Sequence, residues 1–589
     1  MHQLNRSAEA PGQATGPARG AEPAQADRPP PSDEIAAPEP ASSTYKRTRV
    51  VRRPLGLAGF AFSVAFFCLS QTPSMLPRSP ILQGAVSGVT AAMGYGLGAT
   101  LGALARRFRW WEPDPRIVRV AWWVLIVVAP LLGLLFLALG TGWQQELRER
   151  LDMDRMQTYD IIRIVGVAVL VFVLILLVAR LLRLATRALA RLLGRFVPKP
   201  VAYGAGVLVV TYIGIGFVED FLMSNLVTVA NQTASLANGR TTHGITAPTS
   251  PQLSGSPASL VEWRSLGQKG RDFVGTAPTR VELGAFAGTE AAEPIRVYVG
   301  LESAGSVAER AELAVREMER TGAFDRAVIA VIITTGTGWV DADVADSLEY
   351  MYAGDTALVT IQYSYLPSWL SFMVDKSKAT DAAAALIGAV QAEWAALPAE
   401  SRPKLVVFGE SLGSYGTETT FGDLDSMATG ADGILLVGPP FANPIWGELV
   451  NGRDEGTPVW NPVYEDGEDV LFVQDAAELR SPPGSHDVPN VMYLQNSSDP
   501  VVWWNPQLLY RAPEWLDEPR GPDLSPDMSW YPGVTFWQTV VDLGFSTTVP
   551  SGHGHVYGSS VADAWAALLQ PPDWTTEDTV RLRARLDTR

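Results

Sequence analysis

Two hydrophobic rhythms divide the chain. Between Leu55 and Phe221 apolar residues run on for a helix's length at a time, whereas beyond residue 262 they come in short β-branched runs separated by amphipathic stretches. A helix needs about 20 mainly apolar residues to cross a bilayer. Such stretches lie near Leu55–Thr72, Ile81–Ala105, Val120–Gly140, Ile161–Ala179 and Val201–Phe221. The third and fourth contain WWVLIVVAPLLGLLFLALG and IVGVAVLVFVLILLVA, with no acidic side chain, a pattern that belongs in lipid rather than in the core of a soluble protein. The second is rich in glycine and alanine, which lets helix backbones approach closely within a bundle. The fifth ends in Glu219 and Asp220, which suit an interfacial position better than an intramembrane proton site.

The loops between these stretches differ in charge. Lys46, Arg47, Arg49, Arg52 and Arg53 precede the first. Arg106, Arg107, Arg109, Arg116 and Arg119 separate the second and third, and Arg180, Arg183, Arg187, Arg191, Arg195 and Lys199 separate the fourth and fifth. The alternate loops hold Arg78 alone, and three arginines among five acids between 141 and 160. Basic loops stay in the cytoplasm, so the expectation is a multi-pass plasma-membrane protein with its N-terminus inside and, after five spans, its C-terminal part outside.

Four regions follow. Residues 1–45, dominated by Ala, Pro, Gly and Glu, read as a disordered tail, since they offer too little apolar surface to offset ordering. Residues 46–230 form a transmembrane helical domain. Residues 231–262, rich in Ser, Thr, Gly and Pro, read as a loosely packed linker. Residues 263–589 alternate strands and helices. Strands are expected at Ile295–Val299, Ala327–Thr334, Ala357–Gln362, Lys404–Phe408, Gly433–Val437, Val491–Gln495 and Val534–Val541. Helices are expected at Ala304–Thr321, Ala342–Tyr352, Lys376–Ala396 and Leu412–Ser426. This order predicts an α/β domain, a mainly parallel sheet covered by helices on both faces.

Composition narrows the functions. The net charge of −16 speaks against a general nucleic-acid binder. Cys68 is the one cysteine, which excludes intrachain disulfides, Cys-ligated zinc and iron–sulfur clusters, and five histidines leave little for a His-built metal site. No cofactor or metal is expected.

The sharpest chemical signal is LVVFGESLGS. A β-branched strand runs into Gly409-Glu410-Ser411-Leu412-Gly413 and a helical pattern resumes, the strand–turn–helix setting of a G-x-S-x-G nucleophile elbow. Ser411 is therefore the candidate nucleophile. Its base would come from VPSGHGHVYG, as His555 or, by a slim margin less favoured, His553. The orienting acid would be Asp499 in LQNSSDPVVWW, with Asp542 the alternative. Oxyanion donors would be the backbone N–H of Leu412 and one from the TGTGW turn, at Thr337 or Gly338. His243 and His486 lie in loop-like sequence without partners. Trp446, Trp460, Trp503, Trp504, Trp515, Trp530 and Trp537 suit an acyl pocket, a membrane-facing surface or plain packing equally well, and residues 440–490 fall where a cap would be inserted.

With GESLGS, TGTGW, SSDPVVWW and GHGHVYG, the chain over roughly 50–589 resembles the bacterial membrane proteins of the α/β-hydrolase family, which join an N-terminal multi-helix membrane region to a C-terminal hydrolase domain. The resemblance implies Ser411 as nucleophile, Asp499 as acid and His553 or His555 as base, without the HGGG-type oxyanion loop of well-known esterases. The expected function is a membrane-anchored serine hydrolase of the esterase, lipase or thioesterase type. It would act through an acyl-enzyme on lipid-like or cell-envelope esters, with the lipid bilayer and an acyl-ester substrate as partners. The alternatives are an acyltransferase using the same site, a non-catalytic receptor or transport-accessory domain on a hydrolase scaffold, or a helical channel or lipid transporter with an ancillary hydrolase.

Overall fold

A computed structural model of the chain describes residues 56–108, 114–156, 160–217, 224–374, 376–474, 479, 489–517 and 519–588. The expected tail 1–45, the first basic cluster, Arg109, Glu219, Asp220 and His486 lie outside the described residues.

The N-terminal region holds α1 (Leu57–Leu69), α2 (Pro80–Arg107), α3 (Pro115–Arg150), α4 (Ile161–Leu193) and α5 (Lys199–Gly216). The last four are long and apolar enough to cross a membrane. With 13 residues α1 reaches only about 20 Å at 1.5 Å per residue, short of a hydrocarbon core of about 30 Å. By length, then, among the described residues four helices qualify, where five spans are expected from the sequence. Glycines on α2 bring both neighbours close. A Cβ on Gly94 would stand 2.5 Å from Phe62 O of α1, and one on Gly88 would stand 2.7 Å from Ala168 O of α4. Side chains of α3 and α4 such as Trp123, Leu131, Leu170 and Leu181 stay exposed, as lipid-facing residues do.

Seven parallel strands form one sheet in the order β1-β3-β2-β4-β5-β7-β6, with β1 Ile295–Val299, β2 Val328–Ile333, β3 Thr356–Ile361, β4 Lys404–Glu410, β5 Gly433–Val437, β6 Leu471–Val473 and β7 Val491–Leu494. Nearly every strand residue is buried, as helices on both faces require. Register sets the functional edge. Ile333 pairs with Gly409, Glu410 with Val437, and Val437 with Leu494, so the chain leaves β2, β4, β5 and β7 side by side at their carboxyl ends. That edge is where open α/β sheets bind ligands.

Several expectations change. Val534–Gly544 is a helix, not a strand. Its β-branched and aromatic content reads as strand, but Val534, Thr535, Gln538, Thr539 and Asp542 are the buried residues, a helical spacing. The expected helix Leu412–Ser426 breaks at Gly422 into Leu412–Phe421 and Leu424–Gly430, the second capped by Asp423. Residues 440–490 contribute the edge strand β6 as well as the helix Pro444–Asn451. Within the expected linker, the helix Ser224–Asn238 runs into its start, and Leu253, Ser254 and Val261 are buried, with Leu253 bridged to Arg296 of β1. Residues 253–256 and Val261 thus pack on the sheet domain, while most of 239–252 stays exposed or half-buried.

From residue 56 on, the described residues belong to one compact unit, in which the helices and the sheet domain share a polar junction. Helix Val534–Gly544 turns its polar stripe toward the α1–α2 connection. There Gln538 Nε2 donates to Thr72 O at 2.9 Å, and Arg78 Nε donates to Asp542 Oδ1 at 2.9 Å with both side chains buried. Arg78 also reaches Gln83 of α2, and its N–H donates to Gln144 of α3. Met75, Leu76, Leu147 and Leu151 join the hydrophobic core of the sheet domain.

Burial pushes the Asp542 carboxyl up from its ordinary value, and the Arg78 guanidinium offsets this only in part. Breaking such a pair leaves one buried charge uncompensated, whereas removing both charges is nearly neutral. Arg78→Met is therefore expected to destabilise the full chain by about 3–5 kcal/mol, and Arg78→Met with Asp542→Leu to return within about 1 kcal/mol of the parent. Unfolding of the four members of this cycle in detergent checks it, and a single variant as stable as the parent would contradict it.

Candidate active site

Ser411 sits between β4 and the helix Leu412–Phe421 with φ 54° and ψ −120°, a left-handed backbone that a residue with a side chain adopts only under strain. Its flanking glycines permit the turn. A Cβ on Gly409 would stand 2.7 Å from Gly413 O, and one on Gly413 would collide with Ile333 O. Ser411 N donates to Val437 O at 2.9 Å, tying the turn to the end of β5.

The imidazole of His555 arrives at the same place. Its Nδ1 lies 2.6 Å from Asp499 Oδ2, and a Cβ on Gly438, the residue after Val437, would stand 2.5 Å from its Cε1. Asp499 is fully buried and holds three donors. Its Oδ2 also accepts from Tyr557 OH at 2.7 Å, while Oδ1 accepts from Val501 N at 2.8 Å and caps the helix Pro500–Trp503. Burial by itself would lower the His555 pKa. The charge of Asp499 and its hydrogen bond outweigh burial and hold the ring above its ordinary 6.5. Among the described residues the ring's one hydrogen-bond partner is Asp499, so no such bond joins it to the Ser411 hydroxyl.

His553 serves elsewhere. Its Nδ1 is 3.2 Å from Asp523 Oδ2 and its Nε2 is 3.6 Å from Asp152 Oδ2, beyond the end of α3. Of the two histidines only His555 touches Asp499. Asp542, the alternative acid, is committed to Arg78 instead.

The oxyanion candidates divide as well. Leu412 opens the helix Leu412–Phe421, where the first N–H groups have no acceptor within the helix. The 335–339 turn lies beside the elbow through Ile333, but Gly338 N already donates to Thr335 O at 2.9 Å. Gly338 is therefore a poor oxyanion donor. Thr337 is half-buried, with its carbonyl accepting from Gln362 Nε2 at 2.9 Å.

Four contributors escaped sequence reasoning. Tyr557 grips the same carboxylate as His555 from two residues along, a spacing visible in HVYG. Asn496 Nδ2 donates to Gly554 O at 2.9 Å, and Ser498 Oγ accepts from Gly554 N at 2.9 Å, so the β7 loop fixes the histidine loop at both faces of Gly554. Glu410, buried directly before Ser411, is raised to about 8 by burial and then by the charge of Asp341. Among the described residues no group of three or more His, Cys, Asp or Glu side chains is placed to hold a metal ion.

Comparison with known families gives two matches. Residues 295–582 match the alpha/beta-hydrolase family, and residues 71–278 match the N-terminal region of that same family. The chain belongs to the α/β-hydrolase family. The two matches together span α2 to α5, the connection as far as residue 278, and the sheet domain. No curated protein and no solved structure matches the chain. Of the expected tryptophans, Trp446, Trp503 and Trp515 are core residues of the hydrolase domain, while Trp460, Trp504, Trp530 and Trp537 are half-buried.

Proposed function

We propose that the protein is a membrane-anchored serine hydrolase of carboxylic esters. The observation that carries this reading is the 2.6 Å bond between His555 Nδ1 and a buried Asp499, set against a strained Ser411 on a glycine-flanked elbow. In this mechanism His555 Nε2 takes the Ser411 proton as Oγ bonds to the ester carbonyl carbon. Helix-start N–H groups, Leu412's among them, receive the oxyanion. Collapse breaks the acyl carbon–oxygen bond, and His555 returns the proton to the departing alcohol, leaving an acyl-enzyme. Water activated by the same imidazole then releases the acid and restores Ser411. Asp499 holds the ring tautomer and stabilises the imidazolium, and Tyr557 holds Asp499.

The test is trapping. Full-length protein in detergent, mixed with a p-nitrophenyl ester and quenched in acid, is expected to carry one acyl group on the peptide containing Ser411. Ester turnover without an adduct there, or no reaction by well-folded protein, would remove the reading.

The site is proposed to lie outside the cytoplasm. Support comes from the helix ends: Thr72 after α1, Arg78 before α2 and Trp143 near the C-end of α3 bond to Gln538, Asp542 and Asp527 of the hydrolase domain. The opposite ends carry Arg106, Arg107, Arg116, Arg119 and the α4–α5 arginines. Basic ends belong in the cytoplasm, and this argument does not depend on whether α1 counts as a span. With Cys68 removed, a cysteine at exposed Glu577 is expected to react with a membrane-impermeant maleimide in intact cells, and one at Arg195 only after lysis. The reverse pattern would invert the topology.

A further inference from the structure

We propose that the acyl group this site handles is a long alkyl chain drawn from the bilayer, lying along a row of six aromatic rings that leads from Ser411 to the membrane helices. The proposal rests on the hydrolase reading above and names its substrate class. Tyr415, Phe372, Phe441, Trp504, Phe536 and Trp537 follow one another at ring-centroid separations of 6.4, 5.9, 5.3, 5.7 and 5.3 Å. Both ends have meaning. Tyr415 lies one helical turn beyond the nucleophile, its N–H donating to Ser411 O, and Phe441 follows the Gly438 that abuts His555. At the far end Phe536 and Trp537 belong to the helix Val534–Gly544, which packs on the α1–α2 connection and on α2, where a Cβ on Gly533 would stand 2.6 Å from Met93 Cε.

The row differs from ordinary core. Trp503 and Trp565 are buried on all sides, whereas all six rings of the row are half-buried and keep part of their surface without protein cover. They come from separate segments: helices 368–374 and 412–421, the loop after β5, the turn after Asp499, and helix 534–544. A sugar or peptide would need several hydrogen-bonding groups along such a path. Of the six side chains only those of Tyr415, Trp504 and Trp537 carry a polar atom, and Trp504 Nε1 is a buried donor with no partner. Lys376 Nζ lies over the rings at the Tyr415 end of the row, 5.1 Å from the Tyr415 ring and 5.2 Å from the Phe372 ring, so its positive charge stands at that end and not midway. Mostly apolar lining with a polar head at the reactive end is the signature of a chain-binding site. Its continuity with α2, a helix long and apolar enough to cross a membrane, identifies the source as bilayer lipid rather than a dissolved ester.

Alkyl fluorophosphonates of short and dodecyl chain length test this on the full chain in lipid nanodiscs, because they report the path without knowledge of the natural ester. The parent is expected to label at least about tenfold faster with the dodecyl probe, each buried methylene adding to the preference. Trp504→Ala and Phe536→Ser are each expected to cut the long-to-short rate ratio by about tenfold. Taking the ratio removes any loss of folded protein, which slows both probes alike. A parent without chain-length preference, or variants whose ratio equals the parent's, would overturn the path while leaving the hydrolase intact. Labelling by neither probe would instead remove the hydrolase reading and the path with it.

Discussion

Ser411→Ala is expected to abolish fluorophosphonate labelling and to reduce ester hydrolysis by roughly 10⁴–10⁶-fold, the loss seen when a triad nucleophile is removed. The protein should remain folded, because the hydroxyl makes no hydrogen bond that the fold needs; the turn is held by Ser411 N on Val437 O and by the close packing of Gly409 and Gly413. Ser411→Gly gives a second readout. At φ 54° and ψ −120° a side chain is strained by about 1–3 kcal/mol, and glycine relieves much of that. Activity should vanish while resistance to unfolding rises by about 1 kcal/mol. Stability bought at the cost of the reactive group marks a residue kept for chemistry. Retained hydrolysis in Ser411→Ala would mean that some other group performs the reaction.

Asp499→Asn should lower the labelling rate by about 10⁴-fold while leaving the protein folded, since an amide keeps the shape but presents the wrong partner to Nδ1. The pH profile discriminates further. His555 is the base only when neutral, and its pKa is held above 6.5, so the parent's rate should fall as pH drops through a midpoint above 6.5. Removing the carboxylate leaves burial to dominate, which favours the neutral ring. The residual activity of Asp499→Asn should therefore keep its base at lower pH, with the midpoint moved toward acid. A midpoint unchanged by the substitution would show that the carboxylate does not govern the ring. His553→Gln, by contrast, should leave the midpoint in place, because His553 faces Asp523 and Asp152.

What was legible in the sequence was whatever depends on neighbours along the chain. The apolar lengths of α2 to α5, the six strands from Ile295 to Leu494 that the β-branched runs marked, and the glycine-flanked elbow at Ser411 are local patterns, and each is found where periodicity or turn chemistry put it. The order of Ser411, Asp499 and His555 along the chain was also readable, together with the short list of candidate histidines. Tertiary structure decided the rest. Two histidines separated by one glycine differ by only a slim margin in sequence, in favour of His555; it is the fold that turns His555 toward Asp499 and His553 toward Asp523. Val534–Gly544 has strand-like composition, yet it is a helix because its buried stripe of Thr535, Gln538, Thr539 and Asp542 meets the polar α1–α2 connection 450 or more residues away in sequence. Asp542 looked like a catalytic acid and is the counter-ion of Arg78 for the same reason. Periodicity reports which side of an element is apolar, but which polar group a buried charge finds is set by chains brought together from far apart.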